Sequence, residues 1–519
     1  MINPGFLYIL GAGGLYITKG KLRQALALII SLVTFLVVIG LSVGEVATLP
    51  FMHFELVLLE VTEMSRVFAL IFAFFGLCAV IYSLVTDQKK HYVLSFLYIG
   101  SSLAVVYVGD LFTFYVFWEL MTITSYFLIF DKSKKITKQA SYYYFVMHMV
   151  GAMALLWGIL LQYTASGSIA LTTVEYGLPF FVVAVGIKLA FIGLHTWLPR
   201  NYANVPFYTS VVLSAFTTKV GVYGLYRLLG GINLGHAGTV SAIIGVIFAL
   251  KQTNVRKLLS YHIVSQIGFM VAAIGVGTHL GIIGGVLHLV NNILYKGLLF
   301  MMIGVVIYTT GEDDLMKFGG LAKKLPITAF CGLVASLAIA GFPFTNGYIS
   351  KYIMKAGISD PFVYWGLNLA GVGTSLSFLK VMYFGFFKTG RCEVELKRKP
   401  KKSMLFSMLI VVIPILVIGW RPQVLQTFFD LEAGMGYFDL GYIWAGFRPI
   451  LLAVILFIVG HDIITPHHHE EHDRDILARL GKSMDYSGRI LSRLHNGNMS
   501  RYVLWLLTTL AILWIRILI

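Results

Sequence analysis

The sequence predicts an all-α polytopic membrane protein with about sixteen transmembrane helices, each near the ~20 residues that span a bilayer. Three observations carry that expectation. Of 519 residues, 58% are hydrophobic and only 12% charged, where a soluble chain carries about 25% charged residues. The mean hydropathy is +0.82. The apolar residues form continuous runs from end to end, which suits helices that satisfy their own backbone groups in lipid. They do not alternate as the strands of a β-barrel would.

The expected segments lie near 4–18, 25–43, 67–86, 92–109, 111–130, 142–164, 179–199, 208–229, 237–250, 257–277, 280–307, 327–354, 362–387, 403–420, 442–463 and 501–519. Loop charge supports this division. Counted in order, the odd loops hold "KGKLR", "DQKKH", "DKSKKITK", "KQTNVRK", "KFGGLAKK" and "KTGRCEVELKRKPKK". The even loops hold Glu45, Glu55, Glu60, Glu63, Asp110, Glu175 and Asp360, with few basic residues. Basic loops stay on the cytoplasmic side, so both termini are expected outside, in the inner membrane of a prokaryotic cell. The net charge of +16 is then a topology signal rather than a sign of nucleic-acid binding. Lipid is the expected surrounding partner.

The first segment lacks a basic leader and is expected to be retained. Cys78, Cys331 and Cys392 are too widely spaced for a disulfide framework or a metal site. The run "HHHEEH" lacks fixed ligand spacing on a structured element. After it, Ile476, Leu477, Leu480, Met484, Ile490, Leu491 and Leu494 recur at helical spacing among Arg and Lys. That pattern predicts an amphipathic helix over 467–496, lying on the membrane surface.

Six charged residues fall inside apolar segments: Glu119, Lys188, Lys219, Lys296, Lys351 and Lys380. At mid-bilayer each costs at least about 2.5–3.5 kcal/mol, and such residues persist where they face a polar interior that serves transport. Lys380 lies near a basic loop and can snorkel to it. The deeper set suits protons better than an organic solute. Desolvation loosens an amine's hold on its proton, and a carboxylate beside it tightens that hold. A Glu–Lys pair can therefore load and release a proton, and Glu119 is the natural partner for Lys188. His195, His262 and His288 add relay capacity, because histidine ordinarily titrates near pH 6.5, about neutral. His148 reads as structural.

Helix breaks point the same way. Gly193 and Pro199 interrupt the seventh segment, and Pro343 interrupts the twelfth between Gly341 and Gly347. Freed backbone groups are tolerated only in a protein- or water-lined interior. Interrupted segments five apart suggest two inverted five-helix repeats, over 92–229 and 237–387, each a half-channel. Transmembrane helices at 1–91 would precede them, further helices at 403–463 would follow, and the last span would be 501–519.

The motifs "VFWELMTITSYFLI", "GIKLAFIGLHTWLP", "TTKVGVYGLYRL", "NVRKLLSYHIVSQIGFM", "HLVNNILYKGLLF" and "GGLAKKLPI…AGFPFTNGYISK" occur in that order. As a set they resemble the antiporter-like subunits: complex I membrane-arm proton pumps, large Mrp sodium/proton antiporter subunits, and relatives in membrane-bound hydrogenases and sulfane reductases. The resemblance covers about residues 60–390. It implies that Glu119 and Lys188 form the family's ion pair and that Lys219 connects the half-channels. His288 and Lys296 match a central pair, and Lys351 an outward-leading lysine. It also implies partner membrane subunits and redox cofactors held by those partners, with none in this chain. The chain departs from the pattern at three places. Ala190 and Gly193 stand where the family often has prolines, Asn292 where it has a histidine, and Arg200 where an acidic residue is usual.

The leading expectation is an ion-translocating subunit that moves protons, or exchanges them for sodium, inside a larger complex. The alternatives are a stand-alone secondary transporter and a structural subunit with a silent relay. No catalytic centre is expected in the chain itself.

Overall fold

A computed structural model describes residues 2–131, 134–389, 395–429, 431, 436–461 and 465. The expected surface helix at 467–496, the last span at 501–519, the "HHHEEH" run and Cys392 lie outside the described residues.

Within hydrocarbon a helix is the local solution that leaves no backbone group unpaired, and the apolar runs adopt it. In chain order the helices are α1 (Gly5–Ile17), α2 (Gly20–Gly40), α3 (Glu63–Ser83), α4 (Lys89–Val105), α5 (Leu111–Ile129) and α6 (Lys135–Ser166). Next come α7 (Leu178–Leu189), α8 (Trp197–Tyr202), α9 (Phe207–Leu228), α10 (Gly235–Leu250), α11 (Val255–Gly275) and α12 (His279–Thr310). The series ends with α13 (Leu321–Lys324), α14 (Pro326–Ala340), α15 (Asn346–Ala356), α16 (Pro361–Met382), α17 (Lys402–Trp420) and α18 (Leu440–Val459). Every expected segment from 4–18 to 442–463 coincides with one helix or, at 179–199 and 327–354, with two in tandem.

Among the described residues, nine helices are long and apolar enough to cross a membrane, and four further apolar helices are shorter. Helix α7 is one of the short ones. Its 12 residues rise about 18 Å at 1.5 Å each, against a hydrocarbon core of about 30 Å. The bundle turns large apolar side chains outward, among them Ile413, Trp365 and Ile458 at 60–68% exposure. Such a surface suits lipid or a neighbouring membrane subunit rather than water. At the centre, α11 and α12 are buried almost end to end, with α12 packed against α3, α9, α11, α14, α15 and α17. The chain is an integral membrane protein.

The all-α expectation needs one correction. Residues between α2 and α3 form an antiparallel hairpin, β1 (Val46–Phe51) and β2 (Phe54–Glu60), with Phe51 opposite Phe54. The loop reading missed it because the acidic residues dominate that stretch. Yet "FELVLLE" buries Leu56 and Leu59, and the strand is pinned from below. Asp110 accepts the Val57 N–H at 2.8 Å and the Thr113 N–H at 2.7 Å. One carboxylate thus caps α5 and holds the hairpin over it. On another face of the bundle, Asp313 pairs with Arg256 at 2.7 Å and accepts from Asn254 at 2.8 Å, which fixes the start of α11.

Candidate functional site

The seventh segment breaks completely, one residue past Lys188. Helix α7 stops at Leu189 because Ala190 takes a left-handed conformation (φ 55°), and Gly193 follows at φ 91°. A non-glycine residue there costs about 1–2 kcal/mol. Two contacts hold the break open. The Trp197 indole N–H donates at 3.0 Å to the Ile187 carbonyl, which also accepts the Ala190 N–H, and so ties the start of α8 to the end of α7. Gly221 of α9 abuts the Lys188–Leu189 backbone so closely that a Cβ would lie 2.9 Å from the Leu189 nitrogen. Pro199 is not at the break. It lies in the first turn of α8, where a missing N–H is harmless.

The twelfth segment breaks in the same manner. Helix α14 ends at Ala340, Gly341 turns left-handed (φ 83°), and Pro343 and Phe344 (φ 66°) lead into α15. Lys351 reaches back from α15. Its Nζ donates to the Ile339 carbonyl at 2.7 Å and the Ala340 carbonyl at 3.1 Å. A cation thus sits on the negative end of a half-helix, where the macrodipole favours it.

The charged side chains lie between and around these breaks. Lys188 is 1% exposed. Its Nζ donates to Thr122 Oγ1 at 2.8 Å and to the Trp118 carbonyl at 3.1 Å, and it stands 4.7 Å from the centre of the Trp118 ring. Glu119 is the next residue on α5. Both its carboxylate oxygens are buried with no protein hydrogen-bond partner, and Lys188 is the charge that acts on it. The two are therefore coupled electrostatically without a direct bond. Lys219, on α9, donates to the Ser214 carbonyl at 2.7 Å, and its charge acts on Lys296 of α12.

Lys296 is fully buried, and its Nζ has no protein hydrogen-bond partner. It sits 5.4 Å from the centre of the Phe378 ring, whose other neighbour is His262, with centroids 4.8 Å apart. Neither ring nitrogen of His262 has a protein partner, and the charges of Lys296 and Lys351 both act on it. His288 differs in being fully engaged, with Ser350 Oγ at 3.0 Å and Gln266 Oε1 at 3.0 Å. His195 lies buried in the first break, stacked with Phe248 at 6.1 Å. Lys380 caps α10, donating to the Leu250 and Gln252 carbonyls at 2.9 and 3.0 Å. His148 stacks on Tyr144 at 4.0 Å and bonds its carbonyl.

Sequence reasoning missed Thr122, Gln266, Ser350 and Phe378. Thr122 was within reach, since it stands three residues after Glu119 and shares its helix face. Gln266 and Ser350 are single polar residues in apolar runs, and Phe378 carries no polar signal at all.

Buried lysines beside two helix breaks, in a bundle with an apolar outer surface, fit an antiporter-like membrane subunit. The chain belongs to the NADH:quinone oxidoreductase/Mrp antiporter transmembrane family, whose profile matches residues 108–377. That span includes every residue named above from Glu119 to Lys351 and stops short of Lys380. The chain is 30% identical over 397 residues to NADH-quinone oxidoreductase subunit N of Desulforudis audaxviator, covering 69% of this chain and 79% of that one. Its fold matches a chain of the Mrp complex from Dietzia sp. with a TM-score of 0.82 at 22% identity, over 98% of this chain and 62% of that longer one. It also matches a chain of the archaeal membrane-bound sulfane sulfur reductase, with a TM-score of 0.79 at 23% identity, over 98% and 99% of the two chains. These relatives are subunits of multi-subunit membrane complexes.

Proposed function

We propose that the chain is the ion-translocating subunit of a respiratory-type membrane complex and moves protons through a buried relay. The relay consists of Glu119, Lys188, Lys219, His262, His288, Lys296 and Lys351, with His195 and Lys380 in secondary roles. The observation that carries this reading is the pair of orphaned charges, the Glu119 carboxylate and the Lys296 amine, buried without protein hydrogen-bond partners. A buried polar group left unpaired costs about 1–3 kcal/mol, more if charged. A structural role gives no return for that cost, whereas a group that must take and release protons needs its lone pair or proton uncommitted.

In this reading each broken helix serves one half-channel, in inverted repeats over 92–229 and 237–387, and sixteen segments place both termini outside. Lys188 meets α5 through two neutral oxygens and the Trp118 ring, so a small shift of α5 against α7 changes the distance to Glu119 and with it the hold on the proton. Partner subunits drive that shift and hold any redox cofactors. Asn292 bonds only weakly to Tyr295, at 3.4 Å, and leaves the step between Lys296 and His288 to Tyr295 and Gln266. Sodium enters, if at all, as the counter-ion of exchange.

Purification in mild detergent followed by reconstitution tests the assignment. The chain is expected to co-purify with other membrane subunits, and vesicles holding that complex are expected to build a pH gradient under turnover. The sodium dependence of that gradient separates pumping from exchange. A solitary chain that transports an ion or solute at full rate would overturn the complex-subunit assignment. An intact complex that turns over without any gradient would make this a structural subunit with a silent relay.

A further inference from the structure

Beside the second break lies a cavity of about 370 Å³, room for several waters at about 30 Å³ each. Its walls come from the end of α14 and from α11, α15, α16 and α18, and they include Lys351, Lys355, Tyr352, Tyr364, Asn368 and Tyr442. Two lysines one turn apart on α15 therefore share one space. Among the described residues no carboxylate lines it. Lys355 donates to Asn368 Oδ1 at 2.7 Å, and its charge acts on Lys351. Two positive charges this close repel, so the cavity suits one proton held between two amines better than two.

The lining reaches Ala356 and Tyr364, on either side of the 357–361 connection. It takes in the C-terminal end of α15 and the N-terminal ends of α16 and α18. By loop charge the 357–361 connection is expected outside, opposite the basic residues that follow α16. The helices that line the cavity from this side start on acidic residues, Asp360 for α16 and Asp439 for α18. Asp360 caps α16 through the Val363 N–H at 3.0 Å and pairs with His236 at 3.0 Å. The Val363 N–H, then His236, hold its carboxyl below the usual range, so it stays anionic. The charge of Asp439, which starts α18, acts on Tyr348 and Tyr352. Negative charge at these helix starts favours a departing cation.

We infer that Lys355 is an outward proton station, and the inference rests on the proton relay proposed above. The proton leaves the Lys351 ammonium, crosses the cavity to the free amine of Lys355, and is then lost to water on the side where Asp360 and Asp439 start their helices. No other bond changes. Lys351 is left neutral on the carbonyls of α14, ready to accept again.

The test uses the reconstituted complex with Lys355→Gln, Lys355→Arg and Lys355→His, and Lys188→Ala beside them. Arginine keeps the charge and a donor to Asn368 but does not release a proton in proteins. Histidine can take and give one, near pH 6.5, about its ordinary value. Gln and Arg are both expected to lower transport by about a hundredfold, within the range for loss of a proton-transfer group. His is expected to keep much of the rate, with its pH profile moved toward neutrality. Wild-type transport by the Arg variant would make Lys355 a structural cation and overturn the inference, as would a harmless Gln. If Lys188→Ala also transports normally, the relay itself fails. If Lys188→Ala is inactive while Lys355→Arg is active, only the role of Lys355 falls. Should Lys355→Gln not assemble, Lys355→Cys decides: a membrane-impermeant thiol reagent added outside is expected to label it, and protection would overturn the outward opening. The native Cys78 and Cys331 are buried, and Cys392 is replaced by serine for this labelling.

Discussion

Replacing Lys188 by alanine is expected to abolish ion transport by the reconstituted complex, and Glu119→Ala is expected to do the same, both with unchanged subunit composition. A drop of about a hundredfold or more is the scale for removing a proton-transfer group. The competing explanation is mechanical, since Lys188 ties α7 to α5 through Thr122 and the Trp118 carbonyl. Thr122→Ala separates the two. It removes one acceptor, worth about 0.5–1.5 kcal/mol, and leaves the amine and Glu119 in place. The relay reading expects Thr122→Ala to lower thermal stability slightly and keep most of the transport. Glu119 makes no hydrogen bond to the protein, so a mechanical reading gives it no reason to matter. Normal pumping by Lys188→Ala or Glu119→Ala, measured as pH-gradient formation in vesicles, would refute the relay.

Gly347→Ala is expected to collapse the second break. A Cβ on Gly347 would lie 1.8 Å from the Ala338 carbonyl oxygen and 2.8 Å from its carbon. That carbonyl belongs to the last turn of α14 and accepts the Gly341 N–H at 3.0 Å, so it has no free direction in which to move. The helices must part, and Lys351, one turn further along α15, is carried off the Ile339 and Ala340 carbonyls. Overpacking of this kind costs about 1–3 kcal/mol, read as a lower melting temperature of the solubilised complex, and transport is expected to fall with it. Gly13→Ala, inside α1, is the control. A Cβ there meets nothing within 4 Å, and alanine is the better helix former by about 1 kcal/mol, so stability is expected to hold or rise. A Gly347→Ala protein with wild-type melting and transport would show that the close approach is dispensable.

Much of this fold was legible in the sequence because lipid makes hydropathy decisive: a run of apolar residues has no structure but a helix open to it. The hairpin at 46–60 was not, because its stabilising partner is Asp110, fifty residues away, and local pattern does not show which carboxylate caps a strand. The breaks were half legible. Pro343 lies in its break, but the first one turns on Ala190, whose left-handed backbone is imposed by Trp197 and Gly221 rather than by any residue preference. Lys188 and Lys351 stood out as charges in apolar runs. Lys355 did not, because at the end of its segment it reads as a lysine reaching the surface, and only the cavity it shares with Lys351 gives it another meaning. Thr122, Gln266 and Phe378 became visible only when helices distant in sequence met.

Lys296 offers the most direct test of the central claim that these buried charges carry ions. Its amine has no hydrogen-bond partner in the protein, so as a structural element it is a liability. Methionine fills nearly the same volume without the charge, and replacing a buried unpaired charge by an apolar isostere often raises stability. Lys296→Met is therefore expected to leave the melting temperature of the complex unchanged or higher while abolishing pH-gradient formation in vesicles. A Lys296→Met complex that builds the wild-type gradient would contradict the account.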